Sequence, residues 1–169
     1  MKHIWSPWRM KFIEKARKGH KCIFCNFKFQ ISDTKKKRGK DMKDLILYRG
    51  ISCYIMMNRY PYNNGHLMVI PYAHKAMIDK LEPWVQEEFI RLTGESARIL
   101  KKVLKCDGVN CGINIGHAAG AGIAGHIHMH VVPRWQGDYN FFPVIGNAKS
   151  MPEHLEATYK KLKPAFDKI

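Results

Sequence analysis

Three histidines alternate with apolar residues in one short segment, and this alternation strongly constrains the fold. The segment reads Gly125-His126-Ile127-His128-Met129-His130-Val131-Val132-Pro133. Successive side chains of a strand point to opposite faces, so a strand would place all three imidazoles on one face and the apolar side chains on the other. A helix would scatter the rings around its circumference. The segment therefore predicts a strand with one imidazole-lined face.

The residues alone leave three interpretations of this face open: buried structural histidines, a metal site, or divided roles in which one end binds metal and the middle ring attacks phosphorus. At about 3.3 Å per residue, His126 and His130 lie about 13 Å apart along the backbone. One ion with Zn–N bonds of about 2.0–2.1 Å would hold neighbouring rings but hardly both ends. The preceding loop, residues 116–124, favours divided roles, because Gly120 and Gly122 let backbone N–H groups approach an anion. Neutral imidazole, with a reference pKa of about 6.5, is also a good nucleophile near neutral pH.

The surrounding pattern predicts an α+β fold. Short apolar runs with a period of two predict antiparallel strands at residues 45–48, 53–57 and 66–70. Pro83 opens a long segment with apolar residues at helical spacing, which predicts one helix packed on the sheet. Further strands are predicted at residues 109–115 and 125–132, and an amphipathic helix at residues 152–169. We therefore expect a sheet of about five strands, one long packing helix and a C-terminal helix.

Length, composition and charge narrow the class of protein. A chain of 169 residues with 46% apolar and 25% charged residues is one globular domain rather than a disordered or fibrous chain. The net charge of +15 attracts anionic partners, but it does not distinguish among nucleic acids, nucleotides, membrane surfaces and acidic proteins. No apolar run approaches the roughly 18 residues of a membrane span, and we expect a soluble cytoplasmic protein. The basic run of residues 35–43 is interpreted as a solvated loop, with a phosphate or nucleic-acid contact as the alternative.

The chain has five cysteines, and Cys22 and Cys25 form a CxxC pair. An odd number of cysteines makes a disulfide framework an unsuitable interpretation. The pair supplies half of a tetrahedral zinc site, although a metal-free pair of buried thiols stays open. A redox CxxC usually opens a helix in a βαβ setting, which the predicted pattern lacks.

Several motifs outside the histidine segment carry a resemblance to a known family. They are residues 4–10, the CxxC, residues 60–71 with their Gly65-His66 pair, and residues 126–138 with Asn140-Phe141. With these motifs the sequence resembles the histidine triad (HIT) superfamily of nucleotide hydrolases and transferases, and most of all its diadenosine tetraphosphate phosphorylase branch. The resemblance implies a single HIT domain over residues 1–169. Within it, residues 1–43 form an N-terminal segment, residues 44–135 the catalytic core and residues 136–169 a C-terminal extension.

The resemblance also implies roles for individual residues. His128 would attack the α-phosphorus and hold a nucleotidyl group covalently, while His130 would hydrogen-bond the phosphate or the leaving oxygen. The substrate-binding positions that it implies are Asn58 for ribose, His66 in the nucleotide pocket, Asn114, Gly120, Gly122 and His130. In the phosphorylase branch inorganic phosphate completes the cycle and gives ADP and ATP from diadenosine tetraphosphate, whereas water would make the enzyme a hydrolase.

Related proteins complete the CxxC with two histidines, which match His74 and His126. The resemblance thus implies a zinc site of Cys22, Cys25, His74 and His126. Its role would be structural, since four protein ligands leave no open position. A homodimer is also implied. Many relatives have Gln or Ser in the loop where this chain has only alanine, glycine and isoleucine at residues 118–123, so phosphate contacts would come mainly from Asn114 and backbone N–H groups.

Two other functions compete with phosphorolysis. A nucleoside phosphoramidate hydrolase or dinucleoside polyphosphate hydrolase would use the same residues with water as the acceptor. A basic nucleic-acid-binding module with a structural metal site belongs to another class. It is disfavoured because the basic residues are not interleaved with aromatic residues. The sequence leaves the acceptor, the preferred base, the retention of zinc and the roles of His117 and the basic run open.

Overall fold

The computed structural model describes residues 22–27, 40–138 and 151–169 of the chain. Its centre is a five-stranded antiparallel sheet with the strand order β1-β2-β3-β5-β4. The strands are β1 (Ile46–Arg49), β2 (Cys53–Met57), β3 (Leu67–Pro71), β4 (Gly108–Ile113) and β5 (Met129–Arg134). Two α-helices follow the expected order, α1 (Pro83–Leu104) and α2 (Leu155–Phe166), and a 3-10 helix (Ile23–Phe27) begins directly after Cys22 and contains Cys25. The predicted α+β fold class is confirmed.

Some sequence-based interpretations fall on other parts of the chain. Most of the basic run, residues 35–39, lies outside the described residues, as do residues 4–10 and 140–141, which contributed to the resemblance. Most of the predicted N-terminal segment and part of the C-terminal extension also lie outside them. Among the described residues, no helix combines the length and the hydrophobicity that a bilayer crossing requires.

Both helices cover one face of the sheet. Pro83 stands at the first position of α1, where a missing N–H costs nothing, and the apolar side of the helix buries residues such as Phe89 and Leu100. Helix α2 adds Tyr159, whose hydroxyl donates to the Ile46 carbonyl at 2.9 Å. The apolar members of the histidine segment, Ile127, Met129 and Val131, lie in this same core. The predicted alternation of the segment is confirmed on its apolar side.

The opposite face of the sheet carries a smaller apolar cluster beneath the CxxC turn. Phe24 from the turn packs with sheet residues that include Tyr54, Met68 and Ile70. The Tyr54 hydroxyl donates to the Phe24 carbonyl at 3.1 Å. The N-terminal turn is therefore packed onto the face that carries the histidines.

Strand β5 is shorter than predicted at its start. The sequence predicted a strand from residue 125, but pairing with β3 begins at Val69 opposite Met129. Before that point the backbone N–H of Ile127 donates to the Lys75 carbonyl at 2.7 Å, in the loop after β3. His126 and His128 therefore precede β5, which begins at Met129. The side chain of Ile127 between them still lies in the core, as the predicted alternation requires.

A buried carboxylate attaches α1 to the turn between β1 and β2. Glu88 accepts hydrogen bonds from the backbone N–H groups of Ile51 at 3.0 Å, Ser52 at 2.6 Å and Cys53 at 3.1 Å, and from the Ser52 hydroxyl. Burial raises the pKa of Glu88, but these donors together outweigh burial and leave the pKa lowered. The charged carboxylate is therefore the form that fits this turn.

Candidate active site and metal centre

His128 has the proton arrangement of a nucleophile. Its Nδ1 lies 2.8 Å from the carbonyl oxygen of His126, which can only accept, so Nδ1 carries the proton and Nε2 keeps its lone pair. The residue is 5% exposed. Burial lowers the pKa of His128 and outweighs the bond to the His126 carbonyl, which raises it. The ring is therefore held neutral, which is the nucleophilic form.

A chain of hydrogen bonds determines which ring nitrogen of His130 carries the proton. The backbone N–H of Tyr62 donates to Nδ1 of His66 at 3.0 Å, so the His66 proton must lie on Nε2. That nitrogen is 2.9 Å from Nδ1 of His130, which therefore accepts and carries its own proton on Nε2. The ring centroids of His128 and His130 are 4.9 Å apart. A hydrogen-bond donor thus stands beside the neutral nucleophile.

Three of the other predicted substrate-binding residues directly flank strands, and two lie in the glycine-rich loop. His66 is completely buried, and the Asn58 side-chain oxygen accepts from the Tyr60 backbone N–H at 2.9 Å. Asn114 directly follows β4, whose last pair is Ile113 opposite Met129, so it lies at the level of His128. In the glycine-rich loop, Gly120 adopts a φ of 87° and its N–H donates to the carbonyl of His117 at 3.0 Å. The neighbouring Gly122 is half-buried, and His117 is exposed.

The structure brings together the four residues predicted to bind zinc. Their ligand atoms all lie within 4.8 Å of one another. The Cys22 Sγ is 3.4 Å from Nδ1 of His126, and the Cys25 Sγ is 3.2 Å from Nδ1 of His74 and 3.7 Å from Nδ1 of His126. Tetrahedral zinc with the usual Zn–S and Zn–N bonds would place such sulfur and nitrogen atoms about 3.6 Å apart.

The second nitrogen of His126 supports the same assignment. Its Nε2 donates to the Pro71 carbonyl at 2.8 Å, which leaves the Nδ1 lone pair directed toward the two thiols. Metal-binding histidines commonly donate their other ring N–H to a carbonyl in this way. The donor set and its spacing therefore fit a tetrahedral zinc ion with no open coordination position.

Two participants were missed by the sequence analysis. Phe24 contacts the rings of both His126 and His128, and the backbone N–H of Tyr62 determines the proton positions on His66 and His130. The central position of Phe24 in the CxxC was a usable signal, because the turn had been placed near His126. A backbone N–H leaves no signal in the sequence.

Comparisons with known proteins agree on one family. A family model for the HIT domain matches residues 40–137. A protein described as AP-4-A phosphorylase from Mycobacterium tuberculosis is 35% identical over 165 residues, which cover 96% of this chain and 83% of the relative. Adenylylsulfatase HINT3 from Arabidopsis thaliana is 27% identical over 126 residues, which cover 75% of this chain and 58% of that protein.

Two solved structures have the same fold. A zinc-bound histidine triad family protein from Mycobacterium smegmatis superposes with a TM-score of 0.64 at 25% identity, over 87% of this chain and 94% of that one. A hypothetical histidine triad nucleotide-binding protein from Sulfolobus tokodaii gives a TM-score of 0.65 at 22% identity, over 87% and 93% of the two chains. Since the family model spans more than half of the chain and the mycobacterial relative matches nearly all of it, this protein belongs to the HIT family.

Proposed function

We propose that this protein catalyses the phosphorolysis of diadenosine tetraphosphate to ADP and ATP through a nucleotidyl group on His128. The observation that carries the proposal is the pair of adjacent imidazoles with opposite proton arrangements. Nε2 of His128 has a free lone pair, while Nε2 of His130 carries a proton. The 35% identity to a protein described as AP-4-A phosphorylase supports the choice of substrate.

In the first step Nε2 of His128 attacks the α-phosphorus of diadenosine tetraphosphate. A nitrogen–phosphorus bond forms, the bond from that phosphorus to the bridging oxygen breaks, and ATP leaves. The attacking ring becomes positively charged, and its Nδ1–H remains bonded to the His126 carbonyl, which stabilises that charge. The Nε2–H of His130 donates to the phosphate oxygen on which negative charge develops.

In the second step an oxygen of inorganic phosphate attacks the same phosphorus. The nitrogen–phosphorus bond breaks, ADP forms, and the lone pair returns to Nε2 of His128. The two steps sum to diadenosine tetraphosphate plus phosphate giving ADP plus ATP. Water in place of phosphate would release AMP, which is the outcome expected of a hydrolase.

The remaining predicted site residues complete the proposed pocket. We assign Asn58 to ribose, Asn114 to phosphate or to the orientation of His128, and the loop with Gly120 and Gly122 to phosphate through backbone N–H groups other than that of Gly120, which is bonded to His117. The position of Asn114 at the level of His128 supports its assignment. His66 contributes through His130, to which it donates its proton.

The four clustered ligands are proposed to hold a structural zinc ion. When bound, the ion would neutralise two thiolates and cross-link the CxxC turn to the loop after β3 and to the histidine segment. The described contacts of Cys22 and Cys25 with His74 and His126 support this assignment. The catalytic steps use the chain's own histidines.

We further propose a cytoplasmic homodimer in which residues 1–169 form one domain. Strand β4 lies at the edge of the sheet, and Asn110, Cys111 and Gly112 on it are exposed. An exposed edge strand offers unpaired backbone groups to a second strand, which makes β4 a suitable place for a twofold interface. All five cysteines lie in the described residues as free thiols, which suits a reducing compartment.

Product analysis tests the proposed reaction. Purified protein is incubated with diadenosine tetraphosphate with and without inorganic phosphate, and the nucleotides are separated. We expect ADP plus ATP only when phosphate is present. AMP plus ATP, or two ADP, without phosphate would instead establish a hydrolase, and salt-sensitive RNA or DNA binding without turnover would establish the nucleic-acid-binding alternative.

Removal of the nucleophile tests the mechanism. His128→Ala is expected to lower turnover by more than about 10⁴-fold, because no other described group replaces the attacking nitrogen. The wild-type protein quenched early in the reaction should carry an added AMP mass on the peptide containing His128. His154→Ala, which removes an exposed histidine at the start of α2, is the matched control and should keep full activity. Near-normal turnover of His128→Ala would overturn the mechanism.

A further inference from the structure

Phe24 contacts two histidines that have different roles. Its ring centroid lies 5.4 Å from that of His126 in an edge-on arrangement of 77°, and 5.0 Å from that of His128 at 57°. The residue is only 3% exposed. A single side chain in the CxxC turn therefore touches both a metal ligand and the proposed nucleophile.

The position of this ring depends on how the turn is held. Cys22 and Cys25 flank Phe24, and their thiols approach His126 and His74. The Tyr54 hydroxyl bonds the Phe24 carbonyl at 3.1 Å. A single short 3-10 turn has no core of its own, so these contacts with the rest of the fold place the aromatic ring.

The ring of His128 needs such support. Its Nδ1 is bonded to the carbonyl of His126, only two residues away, and the terminal torsion of a histidine has broad minima. Phe24 packs against the ring, and the ring of His130 also contacts it, 4.9 Å away at 73°. Rotation of the imidazole would carry Nε2 away from its line of attack, and these two aromatic neighbours restrict that rotation.

We propose that Phe24 is a positioning residue that couples the metal centre to the nucleophile. The four metal ligands hold the CxxC turn, the turn places Phe24, and the Phe24 ring holds His128 with its Nε2 directed at the substrate. The inference rests on the proposed function, since it assigns His128 as the attacking group. A residue that only fills the core would affect stability and leave the His128 ring and its reactivity unchanged.

The test compares Phe24→Leu, which keeps an apolar side chain but removes the ring, with wild type. Ile23→Ala is the matched control, because Ile23 lies in the same turn and is 45% exposed. Four quantities are measured on zinc-loaded protein: zinc per chain, the ¹⁵N chemical shifts of the His128 ring, the single-turnover rate of adduct formation, and KM. The His128 signals are assigned by their loss in His128→Gln.

We expect Phe24→Leu to bind one zinc per chain, as wild type does, and to have altered His128 ring shifts. Its rate of adduct formation should fall by about tenfold or more, because small misplacements of a reacting group are costly. KM should change little, and Ile23→Ala should match wild type throughout. Unchanged His128 shifts and an unchanged rate in Phe24→Leu would overturn the inference. Loss of zinc from that variant would also overturn it, because Phe24 would then act by building the metal site.

Zinc removal supplies an independent test of coupling. Stripping zinc from wild type with a chelator should shift the His128 signals in the same direction as Phe24→Leu does. Stripping the variant should add little further change, because the connection is already broken. Fully additive shifts would contradict the coupling. If wild type forms no adduct on His128 at all, the proposed function fails, and that result is separate from any effect of Phe24.

Discussion

At the scale of single residues, His66 has two ring nitrogens with different partners. Nδ1 accepts from the Tyr62 backbone N–H, and Nε2 donates to His130. His66 itself is completely buried, so its effect on the substrate passes through His130. The sequence indicated both histidines through the family resemblance. It could not indicate the proton positions, because the deciding donor is a main-chain group.

We expect His66→Leu to lower kcat by about tenfold to a hundredfold, comparable with the loss of a hydrogen-bond partner behind a metal-binding histidine. Without its donor, His130 can carry its proton on Nδ1, where it no longer serves the phosphate. Steady-state kinetics should show a larger change in kcat than in KM. His66→Gln, which retains an amide donor, should recover part of the rate. Equal kcat values for His66→Leu and wild type would contradict this role.

The metal ligands are also predicted at the residue scale, and for a physical reason. The CxxC is a side-chain pattern that is readable from the sequence, whereas His74 and His126 entered as ligands only through the family resemblance. The structure brings all four ligand atoms within 4.8 Å. The place of Phe24 in the CxxC indicated that it lies near His126, but its contact with His128 was not readable, because an aromatic residue between two cysteines has the same appearance whether it meets solvent, core or a catalytic ring.

At the scale of elements, helices and strands follow from periodicity, and their ends follow from contacts that periodicity does not contain. The predicted β2 matches the observed Cys53–Met57, because its flanking residues are turn formers. The start of β5 was misplaced because the N–H of Ile127 bonds the carbonyl of Lys75 outside the sheet. Helix α1 was predicted from its apolar side, which said nothing of the buried Glu88.

Glu88 gives a prediction about stability and pH. The pKa of Glu88 is lower in the folded protein than in the unfolded chain. The charge of Glu88 therefore contributes fully to the free energy of unfolding above the unfolded-state pKa, and this contribution is lost as the pH falls through the folded-state pKa. We expect Glu88→Gln to lower the free energy of unfolding at pH 7 by about 1–3 kcal/mol, since charged hydrogen bonds to several donors are lost.

The measurement is urea unfolding at pH 7 and at several values below about pH 4.5, the region where a normal carboxyl group titrates. The gap between wild type and Glu88→Gln should shrink as the pH falls. Glu87→Gln is the matched control, because the neighbouring carboxylate is exposed and should show no comparable effect. A gap that is constant with pH would show that the carboxylate charge is not what stabilises this turn.

At the scale of the whole molecule, polar contacts tie the turn before β3 to distant parts of the chain. The Asn63 amide donates to the Pro133 carbonyl at 3.0 Å and to Asp138 at 2.9 Å. The completely buried Thr158 of α2 lies with its hydroxyl 3.0 Å from the side-chain oxygen of Asn64. The C-terminal helix thus supports the same turn that supplies the Tyr62 N–H to His66.

We expect Thr158→Val to destabilise the fold by about 1–3 kcal/mol, because it removes a buried hydroxyl that lies 2.7 Å from a carboxylate oxygen of Glu153 and 3.0 Å from the side-chain oxygen of Asn64, and leaves both acceptors without it. Thr158→Ser keeps the hydroxyl and should retain most of this stability. Urea unfolding monitored by circular dichroism compares the two variants. Equal stability of the valine and serine variants would mean that the hydroxyl contributes nothing measurable.

The α+β class and the meander of the first three strands were within reach of the sequence, since each strand has a regular pattern and their connections are short, whereas the place of β5 between β3 and β4 was not predicted. The long-range bond between Asn64 and Thr158 was not. Ninety-four positions separate the two residues, and each is an ordinary polar residue in its own local setting. Such contacts depend on the packed arrangement of the whole chain.

The carbonyls of Pro71 and His126 and the N–H of Tyr62 specify where three imidazoles keep their hydrogens. No point substitution deletes a carbonyl, and among the natural amino acids only proline removes an N–H. Side-chain changes at Pro71, and any change at Tyr62 except to proline, therefore leave these proton positions intact for as long as the chain trace is preserved. An engineer who wishes to reverse the acid and base roles would have to rebuild loops, whereas exchanging neighbouring side chains would not suffice.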